Sequence, residues 1–408
     1  SRGLGDVYKR QDICSNNLFQ FHSKPANPDM AALCKYWAFA FILCQLGQQH
    51  MLLNSIGSMG SFFLLGLGAL LLLINSGRVF DRKTVSSSPF IYSFVFIFIL
   101  YQFTFGIFDL NEKTGIYLIA KVVCCLMIAL SVQKDLSFYL QRLMPILAAV
   151  TSLLILLGFV HNNVIFEGRH TLGFCNANGL GAISSLCAGA MILDSSDRSK
   201  KKIAIILLCV LATFLSGSRA SIGILCLTFV IKYGLNVKFL AVLLAGVLAW
   251  QIILPMAGIS STGLNRFTES VENMDFSSSR EGERKATLIM IAESPILGNG
   301  FDVEQSEKAK AVSGLGSHNG YLDIMKMIGI PYSIFLFAFM AYYTCSVWRK
   351  FHKSACDYDR IHLFVIISVL IAANFESYLW GINQVVTTLL FTSFAVLQKR
   401  MTALKHGI

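Results

Sequence analysis

Three polar stretches interrupt an otherwise oily chain, and each carries a side chain able to hold phosphate or move a proton. The first is Gly168-Arg169-His170, followed closely by Asn176 and Asn178. The second is Ser216-Gly217-Ser218-Arg219. The third is a long segment that contains Arg280 and closes on Ser317-His318-Asn319-Gly320-Tyr321. A guanidinium is always charged and grips phosphate oxygens with two parallel donors. An imidazole titrates near neutral pH, so it can take a proton from a hydroxyl or give one to a phosphate oxygen. On residue type, His318, Arg219 and Arg280 are the candidates for chemistry. Arg169, Asn176, Asn178, Ser218, Asn319 and Tyr321 are candidates for holding a substrate.

Each has a plainer reading. Arg219 can cap a helix end, Asn176 and Asn178 can cap a helix start, and a lone histidine is more often structural. Arg219, however, falls between two short apolar runs. Ile203 to Ser216 is 14 residues, roughly 21 Å of helix against a bilayer core of about 30 Å. The arginine is therefore expected below the membrane surface, where a charge is costly without an anion or a water-filled cavity. Arg280 begins a helical segment, a position where the helix dipole disfavours a cation, and that mismatch points to a ligand. Arg266 and Arg284 read as solvated cations. Asp323 and Glu376 could each orient His318 or an arginine, or simply pair a buried cation. Asp357-Tyr358-Asp359 has the spacing of a metal and nucleotide-sugar site, but it falls in a loop assigned below to the opposite side and is set aside.

The elements that must position these groups follow from composition. The chain has 408 residues, 55% hydrophobic and only 14% charged, with a mean hydropathy of +0.61. Soluble domains carry about a quarter charged residues. Continuous apolar runs recur along the length, which implies an all-α polytopic membrane protein and argues against a β-barrel. About twelve spans are expected, at 33–52, 56–75, 89–108, 115–132, 143–160, 172–193, 202–216, 219–235, 238–256, 320–347, 361–380 and 382–398. Residues 1–31 form a cytoplasmic segment whose first dozen residues, opening on Ser, need not be native and are assigned no function. Spans one to nine occupy 32–257, a large external loop 258–319, the last three spans 320–398, and a cytoplasmic tail 399–408.

Sidedness comes from the basic residues. Arg78, Arg82 and Lys83 follow span two, Lys134 and Arg142 span four, Arg198 and Lys200 to Lys202 span six, Arg349, Lys350, Lys353 and Arg360 span ten. Every even-numbered exit is thus cytoplasmic, and all three polar stretches fall on the outer side. The same distribution explains the net charge of +11 without nucleic acid. Lys200, Lys201 and Lys202 are expected to snorkel to the inner surface. Within the long loop, Arg280 to Glu293 reads as an amphipathic helix with Leu288, Ile289, Ile291 and Ala292 as its apolar residues, stopped by Ser294-Pro295 and the Gly298-Asn299-Gly300 turn. Its six Lys/Arg against nine Asp/Glu over 257–317 exclude general anion attraction. The eleven cysteines lie mostly in apolar runs with no CxxC pair, so neither a disulfide framework nor a metal knuckle is expected.

Four blocks of this sequence resemble the O-antigen ligase/O-antigen polymerase family of bacterial envelope enzymes. They are Arg169 with Leu172-Gly173-Phe174 and Asn176-Ala177-Asn178-Gly179; Leu215-Ser216-Gly217-Ser218-Arg219-Ala220-Ser221; Ser279-Arg280 with Ser294-Pro295-Ile296-Leu297-Gly298-Asn299-Gly300; and His318-Asn319-Gly320-Tyr321-Leu322 with Gly329 beyond. The likeness covers roughly 165 to 345; Arg284 stands where an aromatic residue is usual. The resemblance implies a glycosyl transfer at the outer face of the bacterial cytoplasmic membrane. Its donor is a glycan on undecaprenyl diphosphate, and its acceptor is another lipid-linked repeat unit or lipid A-core. It implies no metal and no cofactor. It implies that Arg219, Arg280 and Arg169 neutralise the departing diphosphate, while His318 activates or positions the acceptor hydroxyl. The rival expectation is a lipid-linked oligosaccharide flippase or polysaccharide transporter, which would show related halves and charges near mid-membrane.

Overall fold

The computed structural model of the chain describes residues 28–108, 112–161, 169–196, 199–234, 281–301, 318–381 and 384–405. In chain order the helices are α1 (Pro28–Gln48), α2 (Asn54–Ile74), α3 (Ser76–Val79), α4 (Arg82–Ser87), α5 (Pro89–Phe108), α6 (Glu112–Lys134), α7 (Leu136–Gln141), α8 (Leu143–His161), α9 (Ala177–Leu193), α10 (Lys200–Leu215), α11 (Arg219–Tyr233), α12 (Glu281–Glu293), α13 (Gly320–Phe351), α14 (Asp357–Ala372) and α15 (Val385–Lys405). Among the described residues there is no strand, only an isolated bridge between His50 and Phe174. Six helices are long and apolar enough to cross a membrane, namely most of α1, α2, α5, α6, α8 and α13. The protein is an all-α chain with the makings of a membrane protein. Helices stand at eleven of the twelve expected span positions, but α9, α10, α11, α14 and α15 are too short or not apolar enough to count as crossing helices on that measure. The expected span at 238–256 lies outside the described residues.

Two helices form the centre. Helix α9 packs on α8, α10, α11 and α14 and is buried over nearly its whole length. Its small residues allow that approach, as they do between membrane helices generally. A side chain at Gly181 would strike Ser216 Oγ at 2.5 Å, so α9 lies directly against the turn between α10 and α11. Helix α15 is similarly enclosed by α6, α14 and α5.

The helix ends sort by chemistry. Lys35 and Asp135 meet at 2.9 Å, Lys202 and Asp194 at 2.9 Å, and Arg360 pairs with Asp357. Lys202 therefore does not snorkel: its side chain is 7% exposed and spends its charge on a neighbouring carboxylate. These groups lie at one set of helix ends. His50, Asn176, Ser216, His318 and Glu376 lie at the other.

Three boundaries differ from the sequence expectation, and the differences build the site. The run expected as one span from 172 begins as helix only at Ala177, because Leu172 and Gly173 take positive φ (45° and 79°) and Asn176 caps the helix through the Asn178 amide. The run expected at 361–380 leaves helix after Ala372, and 373–381 is irregular. Irregular backbone in such a bundle needs partners for its polar groups. Here Ala373 O accepts from Gly320 N, Asn374 O from Asn319 Nδ2, Tyr378 O from Thr387 Oγ1, and Trp380 O from Lys121 Nζ at 3.0 Å. Finally, α13 breaks at Gly329 (φ 77°, ψ 170°), two residues before Pro331.

That break is filled from the loop. Pro331 has no N–H to give Met327 O, four residues back; Gly300 N and Tyr101 Oη donate to it instead, each at 3.0 Å. Asn299 N donates to Lys326 O, and Ile330 N donates to Pro295 O. A Cβ at Gly329 would meet Ile296 O at 2.1 Å, so glycine is required there on both conformational and steric grounds. Helix α12 lies on α13 through this clip. Its buried face is Ala286, Thr287, Met290 and Ile291, whereas Leu288 and Ile289 are more than half exposed, which corrects the expected apolar face.

Candidate functional site

Asn319 sets the entry to α13. Its side chain accepts from the Tyr321 and Leu322 amides, and its Nδ2 reaches Asn374 O. One residue earlier, His318 takes φ 47°, a conformation that costs a non-glycine residue of order 1 kcal/mol or more. It turns the imidazole toward the irregular segment after α14. His318 Nδ1 lies 3.3 Å from Glu376 Oε2. A carboxylate oxygen only accepts, so Nδ1 carries a hydrogen, and in the neutral ring Nε2 is the free acceptor.

Glu376 is 8% exposed, and its second oxygen accepts from Asn178 Nδ2 at 2.6 Å. The Asn178 side-chain oxygen in turn accepts from the Arg169 guanidinium, and Arg169 Nε donates to Ser216 O at 3.1 Å. Tyr378 Oη donates to Asn178 O, which fixes α9 against the same segment. Four residues from three distant stretches thus form one hydrogen-bonded line: Arg169, Asn178, Glu376, His318. Its Glu376 and His318 end lines a cavity of about 330 Å³, at the small end of the usual range for ligand pockets. Its wall also includes Gln49, Cys175, Asn176 and Gln384. The Gln49 side-chain oxygen is buried with no hydrogen-bond partner among the described residues. Burial pushes the nearby His50 and His170 imidazoles below their ordinary value, which leaves both neutral near pH 7.

The other expected site residues are placed as follows. Asn176 both caps α9 and lines the cavity. Ser218 is buried, its amide donating to Ser216 Oγ and its hydroxyl accepting from Ser221 Oγ. Tyr321 Oη donates to Leu370 O and its ring packs edge-on against Phe337, so it fastens α13 to α14 and does not face the cavity. Arg219 opens α11, is exposed, and does not line the cavity, although its turn touches Arg169 through Ser216. Arg280 and Arg266 lie outside the described residues. Of the two acids left open by the sequence, Glu376 is the one beside His318. Asp323 faces Lys326 Nζ at 3.4 Å and accepts from Ser377 Oγ.

Sequence reasoning passed over Gln49, Gln384 and Glu283. The amide-rich end of α1, Gln45 to Gln49 before His50, was the available signal for the first. All described cysteines are free, with Cys175 exposed at the cavity. Among the described residues no group of three metal-ligating side chains converges. No family model matches this chain, and no curated protein matches it.

Proposed function

We propose that this protein is a glycosyltransferase of the O-antigen ligase/O-antigen polymerase type, working without a metal at the outer face of the bacterial cytoplasmic membrane. In this reading it has about twelve spans, with 258–319 as the large external loop. The donor is a glycan on undecaprenyl diphosphate, and the acceptor is a lipid-linked repeat unit or lipid A-core. The observation that carries the reading is the line from Arg169 through Asn178 and Glu376 to His318, beside a cavity at the bundle end away from the paired cations. The sequence blocks that resemble the family supply three of its four members.

The chemistry runs as one displacement. Nε2 of His318 takes the proton of the acceptor hydroxyl. That oxygen forms a bond to the anomeric carbon while the bond from that carbon to the diphosphate oxygen breaks, and the diphosphate leaves with the electron pair. Glu376 holds the ring and stabilises the imidazolium that forms. Arg169, with Arg219 and Arg280 from the neighbouring turn and loop, meets the charge growing on the diphosphate.

Membranes from the host strain, carrying its own lipid-linked repeat unit, test this directly. His318→Ala is expected to insert normally and lose at least about 100-fold in product; wild-type product lengths from it would refute the assignment. Loss of lipid-linked substrate to the other leaflet with no elongation would mark a flippase. Cys175 tests the orientation: a membrane-impermeant maleimide added to intact cells should label it, with Cys175→Ser as control. Labelling only after permeabilisation would reverse the assigned side.

A further inference from the structure

His318 has a second carboxylate neighbour. Glu283, on the first turn of α12, holds Oε2 at 3.9 Å from His318 Nε2, the nitrogen turned away from Glu376. That oxygen is buried and takes no hydrogen bond among the described residues. Helix α12 is anchored in this position by its buried face and by the clip onto Gly329, and Arg284 Nη2 reaches Asn374 O, two residues from Glu376. The placement is therefore built by several independent contacts.

The two atoms across the gap are chemically alike. With its hydrogen on Nδ1, the imidazole offers a lone pair at Nε2, and a carboxylate oxygen offers only lone pairs. Two acceptors facing one space are unfavourable until donors enter it. The distance is too long for a direct hydrogen bond, and hydroxyl oxygens lying beside the pair come within hydrogen-bond reach of both atoms. His318 is 26% exposed at its side chain, so the gap is reachable. A single hydroxyl has one hydrogen and can satisfy only one of the two acceptors. Adjacent hydroxyls on a sugar ring supply two hydrogens that diverge, one for each.

We infer that Glu283 and His318 Nε2 together read a pair of neighbouring hydroxyls on the acceptor sugar. This rests on the transferase reading above and deepens it. The attacking hydroxyl donates to Nε2 and is deprotonated there. Its neighbour donates to Glu283, keeps its proton, and fixes the ring so that the attacking oxygen faces the donor. Helix α12 then has a stated job: it carries the group that selects the acceptor.

Glu283→Gln and Glu283→Ala separate this from a structural role. Gln offers an amide N–H to Nε2 and so closes the gap; Ala leaves Nε2 open. In host membranes given extracted lipid-linked repeat unit, Glu283→Gln should raise the acceptor KM about tenfold or more with kcat much less changed. Diethyl pyrocarbonate, which acylates unprotonated imidazole nitrogen, should modify the His318 peptide about tenfold more slowly in Glu283→Gln and no more slowly in Glu283→Ala, as read by mass spectrometry. Wild-type KM together with wild-type acylation in Glu283→Gln overturns the inference, as does a fall in kcat at unchanged KM. If His318→Ala also retains product, the transferase reading itself has failed, and this inference goes with it.

Discussion

The two ends of the helix bundle treat charge in opposite ways. At the basic end four acids face cations directly: Asp135 with Lys35, Asp194 with Lys202, Asp357 with Arg360, and Asp359 with Arg400 Nε at 3.7 Å. At the other end Asp323 does pair with Lys326 within α13, but Arg169 and Glu376 are held apart by the neutral Asn178, and His318 stands between two carboxylates. Ion pairs in contact cancel one another and have nothing left for a visitor. A cation and an acid spaced by an amide keep their fields, and each can act on a third molecule. The first arrangement stabilises a fold; the second suits a reaction.

The comparison breaks most readily at Glu376. Glu376→Gln still accepts from Asn178, but its amide nitrogen now donates to His318 Nδ1, so the ring hydrogen must move to Nε2 and the base is lost. Product formation in host membranes should fall about 100-fold with thermal unfolding in detergent unchanged; near-normal product would mean the line through Asn178 is structural only. Lys202→Met asks the reverse question. It strands the buried Asp194 carboxylate and should cost about 3 kcal/mol of stability, seen as an earlier melting transition, while the protein that remains folded keeps wild-type turnover. A loss of turnover without a loss of stability would erase the distinction between the ends.

The smallest effect sharpens the picture. Burial pushes the Asp135 carboxyl up, but hydrogen bonds from Ser137, Lys35 and the Phe138 amide outweigh it and leave the group below its ordinary value. A carboxyl depressed on folding adds stability above its unfolded pKa and loses that contribution as pH falls through the folded one. Asp135→Asn should therefore destabilise by about 1 kcal/mol or less at pH 7, and the gap from wild type should narrow in melts taken at progressively lower pH.

Much of this was legible in the sequence because membrane helices and caps leave local marks. Asn176 reads as a possible cap and does cap α9, and the span expected from 320 begins there, with Asn319 as the cap instead of a substrate ligand. Ser294-Pro295 and Gly298-Asn299-Gly300 announce a stop, and α12 ends at Glu293. The alternation of basic loops foretold which helix ends lie together. What stayed hidden depends on contacts between distant segments. Glu376 falls in a stretch apolar enough to pass for continuous helix, and its departure is made possible by Lys121 and Asn319, remote in sequence. Tyr321 sits beside His318 in the chain, yet helical geometry sends its hydroxyl to Leu370. Glu283 carries no local mark of its role, and only the docking of α12 brings it to the imidazole.

The clip at Gly329 ties the fates of two segments. Pro331 is tolerable only while Gly300 and Tyr101 answer the carbonyl it abandons, and Gly298 and Asn299 have no use for their tight approach against an unbroken α13. Mutational drift at either place alone is therefore penalised. Descendants of this chain should keep or discard both together, as a single heritable joint between α13 and the segment that carries α12.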